Sequence, residues 1–169
     1  MFAIKTGINN PQAALSTFVE QKTTYGGKHI GEGDPIFGFA SENEGGAGLV
    51  AHVIVTSVEP KPVNRGINRQ TPRVSITVKP TALAKHALGR NELKRIREWN
   101  DGRPEIELNF KFYRQATNKI VGISAEAVTF LGRFFERQGA RSSANRGIQL
   151  FTENPVLYGH VGTNRSILT

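Results

Sequence analysis

The chain has 169 residues, of which 38% are hydrophobic and 21% charged, enough apolar material for one domain with a real core. It has no cysteine, which excludes disulfides, thiolate metal sites and cysteine nucleophiles, and no apolar run near the ~18 residues that a membrane helix needs. The net charge is +8, and all of it falls in residues 60–103, where 11 Lys and Arg face 3 acidic residues.

Phe2–Lys5 reads as a short strand. Asn10-Pro11 is expected to open a helix, with Asn10 as cap and Pro11 at the first helical position. Ala14, Leu15, Phe18 and Val19 would form its apolar face, and Tyr25-Gly26-Gly27 would end it. Ile36–Ala40 is a strand, followed by a glycine-rich connection, SENEGGAG, at 41–48. A long strand is expected at 49–58. Leu49, Ala51, Val53 and Val55 share one face and Val50, Ile54 and Val58 the other, so both faces should be covered.

Residues 61–72 form a basic loop. Arg73–Lys79 alternates as a half-buried strand. Thr81 is expected to cap a helix running to about Leu88, with a further turn series after Asn91. Glu105–Tyr113 alternates apolar and polar residues and reads as a strand, and Lys119–Ile123 as a short one. Ser124 caps a helix carrying Ala127, Val128, Leu131, Phe134 and Phe135. About five strands and three or four helices result. The expected class is α+β: a small mixed, partly open β-barrel with helices around it, in residues 1–137. Residues 138–169, rich in Gly, Ser, Asn and Arg, read as an appended tail that packs on the domain or on a partner.

Gly45-Gly46-Ala47-Gly48 is not a phosphate loop, because no Gly-Lys-Ser/Thr follows and a strand comes next. No histidine falls in a metal-ligand spacing, so neither a metal nor a cofactor is expected. The N-terminus lacks the pattern of a secretory signal, and a cytoplasmic protein is expected. Localised basic charge in an otherwise balanced chain fits a polyanion-binding surface. Arg65, Arg69, Arg73, Arg90, Lys94, Arg95 and Arg97 are the candidate phosphate contacts. Trp99, beside those cations, is a candidate stacking platform.

Three short motifs in order resemble the EVE branch of the PUA-like superfamily. They are Gly33-Asp34-Pro35-Ile36-Phe37-Gly38-Phe39-Ala40-Ser41, then the strand from Gly48 to Pro60, and then Phe110-Lys111-Phe112-Tyr113-Arg114 leading into Ile123-Ser124-Ala125-Glu126. The chain departs from that pattern at Phe2, where EVE domains carry tryptophan, and in the 60–72 insertion and the tail. The sister family ASCH is the nearest alternative.

The resemblance implies a nucleic-acid-binding module, DNA or RNA, with a cleft that accepts a flipped, modified base. By position, Lys5, Thr6, Ser41, Glu42, Asn43 and Arg114 would border the cleft, with Phe37, Trp99 or Tyr113 as its aromatic. No catalytic residue is assigned. Two alternatives stand beside this reading. One is an ASCH-like amide hydrolase acting on a nucleoside or RNA base through Lys5, Thr6 and Glu42. The other is a structural protein that self-assembles through its tail. Nucleic acid is the expected partner, with a protein partner or a second copy reached through 138–169, and no membrane.

Overall fold

The structure, a computed structural model, describes residues 1–63, 66, 70–94, 102–113 and 119–135. Its strands are β1 (Phe2–Thr6), β2 (Ser16–Thr24), β3 (Pro35–Ala40), β4 (Gly48–Pro60), β5 (Arg73–Leu83) and β6 (Lys119–Gly122). Its α-helices are α1 (Arg90–Leu93), α2 (Pro104–Tyr113) and α3 (Ala125–Gly132). The strands close into a mixed barrel in the order β1-β3-β4-β5-β2-β6, parallel at β1–β3 and β2–β6 and antiparallel elsewhere. Each of the six strands pairs with a neighbour on both sides, which closes the sheet among the described residues. No helix among the described residues is long and apolar enough to cross a membrane.

The period-two pattern builds two core layers. Ile4, Ile36, Val53, Val55, Ile76, Val78 and Ile120 fill the barrel. Their strand neighbours Ala3, Phe37, Phe39, Leu49 and Val121 point outward and are covered by Leu93 of α1, Leu108 and Phe112 of α2 and Leu131 of α3. Phe39 and Phe112 pack with ring centroids 4.8 Å apart. The expectation that both faces of β4 are covered is met only in part: Ala51, Val53 and Val55 are buried in the barrel, whereas Val50, Ile54 and Val58 are half-buried, and a bulge opposite Gly38 and Phe39 turns Leu49 to the outer face, away from Ala51.

Three expected elements differ. Residues 16–24 form β2, not a helix, and Leu15 and Val19 are exposed. A bulge between Phe18 and Gln21, with Glu20 at φ 51°, breaks the pairing with β5. Of the expected helical face Ala14, Leu15, Phe18 and Val19, only Phe18 packs on the core, from the pleat of β2, so the i, i+4 spacing of these apolar residues does not mark a buried helix face. The segment after Thr81 stays in β5 as far as Leu83, because Ala82 and Leu83 continue to pair with His52 and Ala51. The Thr81 hydroxyl bonds the His52 Nδ1 at 2.6 Å instead of capping a helix.

Residues 105–113 form α2, not a strand. Pro104 suits a first helical turn, Glu107 and Lys111 pair one turn apart at 2.6 Å, and Leu108 and Phe112 bury one face. Ser124 caps α3 as expected, its Oγ accepting from Ala127 N at 3.1 Å. The same hydroxyl donates to Glu107 at 2.5 Å, which ties α3 to α2.

The glycine-rich connection is a structural turn. At Gly48, φ is 85° and an added Cβ would lie 2.3 Å from the Leu88 carbonyl oxygen, which already accepts Leu49 N at 2.9 Å. Gly48→Ala is therefore expected to cost about 2–4 kcal/mol in urea unfolding, from positive-φ strain and backbone contact together. An unchanged midpoint would show that this approach is not tight.

Candidate functional site

The parallel pairing of β1 and β3 brings the ends of both strands together, with Thr6 beside Ala40. Ser41 N donates to Thr6 O at 2.8 Å, and a 3₁₀ turn, Glu42–Glu44, follows. This turn swings the Glu42 carboxylate over Lys5. The Lys5 Nζ lies 2.6 Å from Glu42 Oε2, and the side chains are 4% and 21% exposed. Tyr113, at the end of α2, donates its hydroxyl to Glu42 Oε1 at 2.5 Å. The same oxygen accepts Arg90 N at 2.9 Å. The Lys5 ammonium sits 3.6 Å from the centroid of the Tyr113 ring, a cation–π contact, and the Arg90 guanidinium lies 6.0 Å from it.

Burial pulls the Lys5 ammonium below its ordinary value, and the Glu42 carboxylate offsets only part of that. Burial acts to raise the Glu42 carboxyl, but the donors Lys5 and Tyr113 outweigh it, so Glu42 ends below the usual carboxylate range. Burial, with the bond to Glu42, pushes the Tyr113 phenol well above its ordinary value, so it remains a donor. The cluster is thus a fixed ionic pair with a neutral phenol, on β1, the β3 turn and α2. Beside it, Ser41 is 1% exposed, and its hydroxyl is buried with no hydrogen-bond partner. Such a group costs about 1–3 kcal/mol if nothing satisfies it.

The fold brings Lys5, Ser41, Glu42 and Tyr113 together, and Asn43 stands exposed on the same turn. Thr6 is buried next to Lys5 in the strand, and alternation turns the two side chains to opposite faces. Phe37 is 3% exposed and packs edge-on to His52 and against Phe135, so it is core rather than a stacking platform. Arg90 and Lys94 are exposed and Arg73 is half-buried. Arg65, Arg69, Arg95, Arg97, Trp99, Arg114 and the tail 138–169 lie outside the described residues. Among the described residues, no group of three or more His, Asp or Glu could hold a metal ion.

The spacing of the chain gave no sign that Tyr113 meets Glu42, because the contact depends on 105–113 being a helix. It also gave no sign of Lys119. That residue is 3% exposed, its Nζ has no hydrogen-bond partner, and burial together with Lys5 and Lys22 holds its ammonium down at about 8.

No family model matches the chain, and no curated protein does. Solved structures do. The DUF55 domain of human thymocyte nuclear protein 1 superposes with a TM-score of 0.56 at 14% identity, over 80% of this chain and 98% of that one. The human THYN1 protein in complex with 5-methylcytosine-containing DNA gives 0.56 at 15%, over 80% and 97%. A protein from Pseudomonas putida gives 0.52 at 12%, over 80% and 99%. With its closed six-stranded barrel and flanking helices, the chain has the α+β fold of these DUF55 structures.

Proposed function

We propose that this chain is a nucleic-acid-binding module that reads a modified base in a cleft bordered by Ser41, Glu42, Asn43 and Tyr113, with phosphates held by the basic 60–103 surface. The observation that carries the reading is the buried, unpartnered Ser41 hydroxyl next to a preorganised Lys5–Glu42–Tyr113 cluster. A base edge supplies the donors and acceptors that such groups lack. The bound methylated DNA of the human THYN1 structure supports the same reading on the same fold. Arg73, Arg90 and Lys94 supply phosphate contacts that set affinity and its salt dependence rather than base choice.

The test is competition. A labelled duplex carrying 5-methylcytosine, 5-hydroxymethylcytosine or N6-methyladenine is displaced from the full chain by its unmodified counterpart. One modified duplex should resist displacement. Ser41→Ala and Asn43→Ala should each reduce that preference about tenfold, the weight of a lost base-edge contact. Equal displacement of every modified duplex would overturn the reading.

The pairing of Lys5 with Glu42 also suits the second reading, amide hydrolysis. That chemistry calls on Thr6 as well, and strand alternation directs Thr6 away from the pair. Turnover of an N-acylated nucleoside, abolished by Thr6→Val, would favour the hydrolase.

A further inference from the structure

The strand register assembles cations that lie far apart in the chain. Lys5 on β1 stands directly opposite Lys119 on β6. Lys119 is opposite Lys22 on β2, and Lys22 is opposite Arg73 on β5. Lys61, just past β4, donates its N–H to Arg73 O at 2.9 Å. Directly opposed residues share a face, so this is one row across four strands, on the outside of the barrel, with Lys61 at its end.

Like charges opposed in a sheet repel, and such a row destabilises the fold unless anions meet it. Two carboxylates do. Glu42 pairs with Lys5, and Glu20 pairs with Lys61. The Arg73 guanidinium bonds the Glu20 backbone oxygen at 2.8 Å. Lys119, within the row but buried and without a hydrogen-bond partner, adds positive potential beside Lys22. At the Lys61 end the row opens into a cleft of about 380 Å³ lined by Lys22, Lys61, Gln70, Thr71 and Arg73. A row of cations with too few carboxylates, one of them buried and unpaired, and an open cleft at its accessible end fit a linear polyanion.

We propose that the accessible end of this row, Lys22, Arg73 and Lys61, is a track for the phosphate backbone of a nucleic-acid strand, with the buried Lys5 and Lys119 adding positive potential behind it. The proposal rests on the nucleic-acid reading above and extends it, because Lys22 and Lys119 lie outside the basic 60–103 segment. Two strand spacings of ~4.8 Å, from β2 across β5 to β4, make the accessible stretch about 10 Å long. That is the reach of about three or four phosphates at a rise of ~3.4 Å per nucleotide. Glu20 occupies Lys61 when no strand is bound and competes with the phosphates.

The test is a salt series with fluorescent oligonucleotides of three, six and nine nucleotides on the full chain. Thermal unfolding of each variant serves as the folding control. Affinity should rise between three and six nucleotides. Lys22→Gln and Arg73→Gln should each flatten the slope of log affinity against log salt by about one. Glu20→Gln should tighten binding, and none of the three should change preference for a modified base. Unchanged slopes in Lys22→Gln and Arg73→Gln, with a flattened slope in Arg90→Gln, would overturn the track and leave the nucleic-acid reading standing. Absence of binding by the unaltered chain near physiological salt would overturn both.

Discussion

Glu42→Ala is expected to destabilise the protein by about 3–5 kcal/mol, because it leaves the Lys5 ammonium buried without its counter-ion. The Lys5 side chain is 4% exposed, so water does not replace the lost carboxylate. The variant also removes the acceptor of the Tyr113 hydroxyl and of Arg90 N. Replacing both partners, Lys5→Met with Glu42→Leu, should recover most of the loss, since a buried pair is worth little against apolar residues of similar size. Urea unfolding at neutral pH reads both variants. The pair also sets a pH dependence. The folded Glu42 carboxyl lies below its ordinary value, so its contribution is full above the usual carboxylate range and is lost as pH falls through the depressed folded value. A Glu42→Ala protein as stable as the parent would show that Lys5 is not held by this pair.

Lys119→Met is expected to act in the opposite direction and stabilise the protein by about 3 kcal/mol at pH 7. The ammonium titrates at about 8 in the folded chain against an ordinary value of 10.5, because it is buried and faces Lys5 and Lys22. Below pH 8 the buried charge therefore opposes folding, at ~1.4 kcal/mol for each pH unit by which its titration is lowered. Between about pH 8 and 10.5 the unfolded chain holds a proton there that the folded chain has lost. The parent should gain stability across that window, and Lys119→Met should lack that gain. The same variant should bind oligonucleotides more weakly, the trade of stability for function expected of a charge kept for a ligand. Loss of stability in Lys119→Met would mean that the ammonium has a partner and that the row has no unmet charge.

The sequence made most of the barrel legible and little of the geometry of its site. β5 follows from plain alternation as far as Lys79, β3, β4 and β6 from short apolar runs bounded by turn residues, and Ser124 caps α3 where its position promised. β2 was obscured by Asn10-Pro11 and by the helical spacing of Ala14, Leu15, Phe18 and Val19, of which Leu15 and Val19 are exposed. α2 was obscured by Ile106, Leu108, Phe110 and Phe112, which alternate by composition. Only Leu108 and Phe112 of these are buried, while Phe110 packs edge-on to Tyr25 at 5.9 Å. Pro104 and the Glu107–Lys111 spacing were the local signals for a helix. Lys5, Ser41 and Glu42 came from the family resemblance, by position, and the parallel pairing of β1 with β3 brings them together. The cation row was not legible, since residues 5, 22, 73 and 119 meet only through the pairing of strands distant in the chain.

The most direct measurement is a salt-series titration of the full chain with short single- and double-stranded DNA and RNA, unmodified and carrying 5-methylcytosine, 5-hydroxymethylcytosine or N6-methyladenine. A modified-base reader should bind with an affinity that falls linearly in log salt and favour one modified strand, with that preference reduced about tenfold in Ser41→Ala. Binding that is insensitive to salt, or no binding near physiological salt, would contradict that reading.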